Sequence, residues 1–250
     1  MIELKDGIDL DNGYTLKIVK QISDLPVNLT DMANLKLKEI KKKGKLLLKI
    51  DFNQLKKETY KKILKKLLVT KKILIKKKIK IGMKEEEKIL LGYVVNYDEK
   101  KKEQTDFLLA VNAIFYPNRL QRYEYIYDTV CDYLDSYFYG KNLCDFQNNQ
   151  CGEKRNTSSH IGCCHHFKIK WLGPFTKLVP CEYLEKDYTC GAKCISCKLF
   201  TCDYLKKKEI QFKIKDILLL DVFFNPLQKY FIKYMVFTPK EKIIKRLMIT

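Results

Sequence analysis

Cysteine and histidine residues crowd into one segment of this chain, between residues 144 and 202. Nine of the ten cysteines and all three histidines fall there. Thiolate and imidazole groups are the ligands that zinc prefers in proteins, and thiolates also hold iron–sulfur clusters. The segment therefore predicts a metal-binding module. The candidate metal ligands are Cys144, Cys151, Cys163, Cys164, Cys181, Cys190, Cys194, Cys197 and Cys202.

The densest part of this segment is 190–197, where three cysteines fall within eight residues. Gly191 can adopt the backbone angles that a tight loop around a metal requires. Four such thiolates would suit tetrahedral Zn²⁺, which we favour slightly, and they would equally suit a [4Fe–4S] cluster. Adjacent side chains such as those of Cys163 and Cys164 are expected to point in different directions, which suggests two centres or one ligand beside a packed thiol. His160, His165 and His166 are either ligands or neighbours of the site.

Disulfide bonds and unligated thiols could also account for the density of cysteines. Disulfides require an oxidising compartment, and residues 1–6 lack the basic and apolar regions of a secretory signal. We therefore expect a cytoplasmic protein with reduced cysteines. Unligated thiols behave as small hydrophobic groups and have no physical reason to gather beside every histidine. Metal binding is the interpretation that the composition favours.

The second half of the segment carries a family pattern. Cys181, Leu184, Asp187 and Cys190 are each separated by two residues, and Cys163–Cys164 precede them. This arrangement resembles the YkgJ-type cysteine-cluster proteins, which are described as zinc- or iron-chelating, although the first cysteines are more widely spaced here. The resemblance covers about 144–202 and implies that these cysteines chelate metal. The family has been connected with flagellin lysine methylation, so the resemblance also implies a possible role in methyl transfer.

Motifs that would identify a reaction are sparse. Cys190, Cys194 and Cys197 have the spacing of a radical S-adenosylmethionine loop, but Ser196 stands where that family carries an aromatic residue, and too little chain follows. The sequence contains no Gly-rich phosphate loop, H-E-x-x-H helix or nucleophile elbow. We therefore expect a mainly structural metal in a protein of unassigned role, with a metalloenzyme as the alternative. No catalytic residues are assigned.

Positive charge is concentrated at 36–88. This region holds 21 lysines and 6 acidic residues, a net +15 of the chain's total of +19. Such a region could contact nucleic acid or another polyanion. However, it contains no arginine, the residue that favours bidentate phosphate and base contacts. A solvated lysine face is the favoured interpretation, and polyanion binding is the second alternative function.

The first half of the chain predicts a mixture of helices and strands. Helical spacing predicts helices at 31–43 and 54–69, and Lys45–Asp51 suits a strand. Alternating apolar residues at 73–81 and 89–97 predict a β-hairpin. The polar run 98–104 predicts a domain boundary or a long loop, and 107–115 favours a helix. No apolar run is long enough to span a bilayer.

The second half predicts a long helix at 118–139 with Cys131 packed in its apolar stripe. Its acidic face would pair with the lysine-rich region or face water. Capping patterns at Asn225 and Thr238 predict two further helices, at 226–236 and 239–248. We therefore predict an α+β protein with a lysine-rich region at 1–117. Residues 118–250 would form a second region, with a helix, the central cysteine-rich module and a C-terminal helical pair.

Overall fold

The computed structural model of the chain describes residues 7–10, 14–19, 46–69, 90–116, 118–145, 147, 151–156, 168–172, 175–179, 182–183, 185 and 192–250. Backbone contacts divide the chain into two compact units, Ile2–Asn118 and a unit built on Arg119–Thr250. Helices dominate the described residues, and the predicted α+β class with a central metal module is not confirmed. No helix within these ranges is long and apolar enough to cross a membrane.

The first unit contains short strands and two longer helices. The strands are β1 (Gly7–Leu10), β2 (Tyr14–Val19), β3 (Leu46–Asp51) and β4 (Leu90–Val95). Their order in the sheet is β1-β2-β4-β3. A 3-10 turn at Lys57–Thr59 leads into helix α1 (60–69), and helix α2 spans Lys102–Phe115. Strand β3 confirms the strand predicted at 45–51.

Strand β4 is central in this sheet and is parallel to both of its neighbours, β2 and β3. Its sequence, LLGYVV, contains no charged residue and does not alternate between apolar and polar positions. Such a continuous apolar run is typical of a strand that is covered on both faces. The predicted hairpin of 73–81 with 89–97 is therefore wrong, because both edges of β4 are occupied. Residues 73–81, and the helix predicted at 31–43, lie outside the described residues.

Aromatic side chains form part of the core of this unit. The ring centroid of Phe107, on α2, lies 4.6 Å from the ring centroid of Tyr60 and 6.1 Å from that of Phe52. Leu64 and Val94 are fully buried. Helix α2 confirms the helix expected at 107–115, but it begins at Lys102, so the predicted loop at 98–104 is too long. The Gln104 side chain closes the turn by accepting a 2.8 Å hydrogen bond from the Asp98 amide.

The second unit is organised by helix α3 (Arg119–Gly140), which confirms the long helix predicted at 118–139. Apolar residues recur at helical spacing along α3, and Ile126, Tyr127 and Leu134 are fully buried. Helices α4 (Gly152–Asn156), α5 (Ile195–Leu199), α6 (Asp203–Lys207), α7 (Leu218–Phe223), α8 (Pro226–Tyr234) and α9 (Lys240–Ile249) follow. A 3-10 turn at Ile214–Asp216 precedes α7.

An antiparallel strand pair lies within the cysteine-rich segment. It consists of β5 (Lys168–Leu172) and β6 (Phe175–Val179), with Leu172 opposite Phe175. The sequence analysis did not predict these strands. Helix α3 packs against α5, α7 and α9, and α8 packs against α5 and α9. The described helices of this unit therefore cluster around α3.

The two C-terminal helices lie where they were predicted, but only the first begins with the predicted N-cap. The Asn225 side chain accepts a 2.9 Å hydrogen bond from the Gln228 amide, and the Gln228 side chain accepts one from the Asn225 amide at 3.0 Å, which completes a capping box. The predicted cap at Thr238 is wrong. Its hydroxyl donates to the Val236 carbonyl instead, and Pro239 occupies the N-cap position of α9.

This difference gives a prediction about stability. Asn225→Ala should lower the free energy of unfolding by about 1 kcal/mol, because it removes a side-chain acceptor from the first turn of α8. Thr238→Ala is the matched control and should cost less than about 0.5 kcal/mol, because it removes no helix cap. Urea unfolding followed by far-UV circular dichroism would measure both. Equal effects at the two positions would contradict the capping assignment.

Candidate metal-binding thiols

Five of the nine predicted ligands lie among the described residues, and all five belong to the second unit: Cys144, Cys151, Cys194, Cys197 and Cys202. These five cysteines and Cys131 form no disulfide bonds with one another. The other four predicted ligands and the three histidines lie outside the described residues: Cys163, Cys164, Cys181, Cys190, His160, His165 and His166.

The first thiol group comprises Cys131, Cys194 and Cys197, which surround the side chain of Tyr127. The Tyr127 hydroxyl accepts a 3.1 Å hydrogen bond from the Ile195 amide, at the start of α5. Burial raises the pKa of Tyr127, and the neighbouring Cys194 and Cys131 thiols raise it further. Tyr127 therefore stays protonated at neutral pH and ties α3 to the backbone between two cysteines.

The backbone around Cys194 and Cys197 is fixed by contacts with the α8–α9 connection. The Phe237 amide donates to the Cys197 sulfur at 3.1 Å, and the Cys194 thiol donates to the Met235 carbonyl at 3.4 Å. Lys193 and Phe237 both have left-handed backbone angles, with φ of 47° and 54°. Non-glycine residues are destabilised there, so the surrounding contacts must stabilise this shape. The expected tight loop at 190–197 is only partly present, because Cys197 lies on helix α5.

The acidic face of α3 holds the same segment through ion pairs. Asp135 pairs with Lys198, whose side chain is only 6% exposed. Asp132 lies 3.5 Å from the Lys193 ammonium group, and Asp128 lies 2.6 Å from that of Lys240. These aspartates therefore contact lysines beside the cysteines and on α9, in their own unit.

The second thiol group comprises Cys151 and Cys202, and Cys144 is linked to it through its backbone. Cys151 precedes α4 and Cys202 is the N-cap residue of α6, and the two helices pack together. The Gly152 amide donates to the Cys144 carbonyl at 2.7 Å, which places the backbone of Cys144 beside that of Cys151. Burial raises the pKa of Cys202 to about 11, with the Glu153 carboxylate and the nearby Cys151 adding to the rise. With no metal bound, the Cys202 thiol is therefore protonated at neutral pH.

Close packing at Gly152 fixes the distance between α4 and α6. A Cβ atom at position 152 would overlap the ring of Tyr204. The buried Glu153 carboxylate accepts the Tyr204 amide proton, and the Tyr204 hydroxyl donates to Asp145 at 2.9 Å. Tyr204 is therefore held by its ring, its amide and its hydroxyl, and these contacts position α4, which follows Cys151, against α6, which follows Cys202.

Within the described ranges, no group of three or more Cys, His, Asp or Glu side chains is arranged to hold a metal ion. The donor types nevertheless fit zinc or an iron–sulfur cluster, since thiols predominate in both groups. Comparison with protein families, curated proteins and solved structures gives no match. The metal site and the resemblance to cysteine-cluster proteins therefore stay predictions.

Sequence reasoning missed two residues of these groups, Tyr127 and Glu153. Tyr127 lies in the apolar stripe of α3, so its spacing predicted packing and carried no sign of a polar role. Glu153 stands two residues after Cys151, which is a signal that sequence analysis could have used. Cys131, by contrast, is fully buried on α3 and confirms the expectation of a packed thiol.

The surroundings of Cys131 give a second prediction. Its thiol donates to the Lys193 carbonyl at 3.0 Å, so Cys131→Ser keeps a donor and should cost less than about 1 kcal/mol. Cys131→Ala removes that donor and leaves a small cavity, and it should cost about 1–3 kcal/mol. Urea unfolding of the two variants would measure the difference. An alanine variant as stable as the serine variant would contradict the role of this hydrogen bond.

Proposed function

We propose that the chain is a metal-binding protein whose cysteines between 144 and 202 hold Zn²⁺ in a mainly structural role. In this proposal the protein has an α+β fold with a central metal module. The observation that carries it is the gathering of the described cysteines into two thiol groups within one unit. A [4Fe–4S] cluster is the alternative occupant.

Support comes first from the environment of Cys197. An amide proton directed at a cysteine sulfur, as from Phe237 at 3.1 Å, favours the charged thiolate over the neutral thiol. Metal ligation requires that charged form. Left-handed backbone at Lys193 and Phe237 is a second support, because such strain clusters at binding sites.

Support also comes from the remaining cysteines of the segment. Cys190 precedes Cys194 by four residues, and Cys163, Cys164 and Cys181 lie in the sequence between Cys151 and Cys194. Each group could reach four ligands by adding residues from this set. The bound metal would supply cross-links between segments that lie far apart in the sequence, so that binding energy becomes folding energy.

Metal analysis of the anaerobically purified chain tests this proposal. We expect at least one zinc or iron centre, with visible absorption and acid-labile sulfide separating a cluster from zinc. Cys197→Ser and Cys202→Ser should each lower the metal content and speed proteolysis within 144–202, because each removes a ligand. Cys131→Ala is the matched control and should retain the metal. A folded chain without metal, or metal loss only in the Cys131 variant, would overturn the proposal.

A metalloenzyme with a redox or methyl-transfer role is a weaker candidate. Structural sites hold four protein ligands, whereas catalytic sites leave a coordination position open. Tyr127 and Glu153 are polar side chains that lie beside the thiols and could serve chemistry there. Both are engaged in structural hydrogen bonds, to Ile195 and Tyr204 respectively, so a structural metal is the better-supported proposal.

Polyanion binding is the remaining candidate, and helix α1 provides its support. Lys61, Lys62, Lys65 and Lys66 are exposed, whereas Tyr60 and Leu64 of the same helix are buried. This arrangement is equally that of a helix with a solvated face.

We expect that the lysine face of α1 is solvated and binds no nucleic acid. Simultaneous replacement of the four lysines by glutamine should leave DNA and RNA binding unchanged at about 150 mM salt, where exposed charges are strongly screened. Fluorescence anisotropy over a salt series would measure it. A loss of affinity together with a shallower salt dependence would instead support a nucleic-acid site on α1.

A further inference from the structure

A groove in the second unit combines an apolar floor with a positive rim. Its volume is about 850 Å³, and it lies along α9, beside α8 and the start of α3. Apolar side chains contributed by all three helices and the residue after α8 line it: Leu120, Phe231, Met235, Met248 and Ile249. Leu120 and Ile249 are 43% and 75% exposed, which is high for large apolar residues. The groove therefore offers an apolar surface to a ligand.

The rim of the groove consists of Lys242, Lys245 and Arg246, and no acidic residue is among the described residues that line it. No ion pair involving these three cations occurs among the residues that the structure describes. Three lysines elsewhere in this unit differ, because each pairs with an aspartate: Lys198, Lys229 and Lys240. The positive rim is complementary to a ligand with negative charge.

Arg246 joins the rim to the floor. Its guanidinium group lies 4.8 Å from the centroid of the Phe231 ring. Stacking of this kind limits the positions that the guanidinium group can adopt and leaves its hydrogen-bond donors available. A carboxylate at the rim could therefore pair with Arg246 while a neighbouring apolar side chain contacts Phe231. The ligand must carry acidic and apolar groups side by side.

The length of the groove favours a helix as its occupant. The lining from Lys242 to Ile249 spans seven residue steps of α9, or about 10 Å at the rise of an α-helix. This length matches apolar anchors at positions i, i+4 and i+7 of a docked helix. Met235 and Met248 are flexible side chains of the type that adapt to docked helices.

We propose that this groove binds an acidic amphipathic helix of a partner protein. Apolar residues of that helix would occupy the floor between α8 and α9, and its carboxylates would pair with Lys242, Lys245 and Arg246. No residue of the groove is a proposed metal ligand, although the Met235 carbonyl at its edge accepts a hydrogen bond from the Cys194 thiol.

A designed peptide tests the proposal on the full chain. The probe is a fluorescent helix of about 18 residues, or five turns, with leucine at positions i, i+4 and i+7 and glutamate on the flanking positions. A peptide of the same composition with scrambled order is its control. Anisotropy at about 150 mM salt, where long-range attraction is screened, should show binding of the amphipathic peptide and weaker binding of the scrambled one.

Variants of the chain then locate the binding site. Lys242→Glu with Lys245→Glu should weaken binding at least about tenfold, because two attractions become repulsions. Met248→Asp should weaken it by placing a charge on the apolar floor. The α1 variant with glutamine at Lys61, Lys62, Lys65 and Lys66 is the matched control. It removes positive charge from the first unit and should retain affinity.

A charge-reversed peptide keeps the test decisive if a variant loses stability. With lysine in place of glutamate, this peptide should bind the Lys242→Glu/Lys245→Glu variant more tightly than the unchanged chain, which an unfolded variant could not reproduce. Equal binding of scrambled and amphipathic peptides would overturn the proposal. So would an equal loss in the α1 variant, or binding to phosphatidylserine-containing vesicles without binding to the peptide.

Discussion

The buried contact between α3 and the segment 193–198 is the interaction on which the second unit depends. Lys198 is almost inaccessible to solvent, so its charge must be compensated, and Asp135 supplies the compensating carboxylate. Tyr127 adds a hydrogen bond to the backbone one turn away. Removal of Asp135 would leave the buried charge of Lys198 unpaired, which is far more costly than loss of an exposed ion pair.

This contact fixes the positions of the neighbouring elements. With Ile195 and Lys198 anchored on α3, Cys194 and Cys197 face the connection between α8 and α9, where Met235 and Phe237 contact their sulfur atoms. The Ser196 hydroxyl, between the two cysteines, donates to the Ile232 carbonyl on α8 at 2.5 Å. One short helix therefore links α3, α8 and the thiols, and the groove beside α8 depends on the same packing.

Local sequence patterns predicted the elements whose signals lie within a few residues. The apolar stripe of α3 and the Asn225–Gln228 capping box are signals of this kind, and the structure contains both elements. Pairing between distant strands was predicted poorly. The apolar alternation at 89–97 is compatible with a hairpin and with a central parallel strand, and only contacts with β2 and β3 distinguish them.

The candidate site, too, contains contacts between distant residues that local sequence patterns do not predict. Residue type and density identified the cysteines, because thiols are rare enough for crowding to carry information. The proximity of Cys151 to Cys202 arises from the packing of α4 on α6, between residues about fifty positions apart in the sequence, and no rule of ligand spacing predicts it. Tyr127 could not be separated from ordinary core residues, because helical periodicity reports burial and gives no account of what a buried hydroxyl contacts.

The position of β4 in the first sheet affects how this unit can form during synthesis. It is the last of the sheet's four described strands in the sequence, and it lies between β2 and β3. A growing chain therefore carries two strands with unpaired backbone edges until residue 95 has emerged, and such edges invite association with other chains. Many lysines lie between β2 and β4, and their mutual repulsion would oppose that association. In the nascent chain the lysine-rich composition would then limit association through these edges, whether or not the folded protein binds a polyanion.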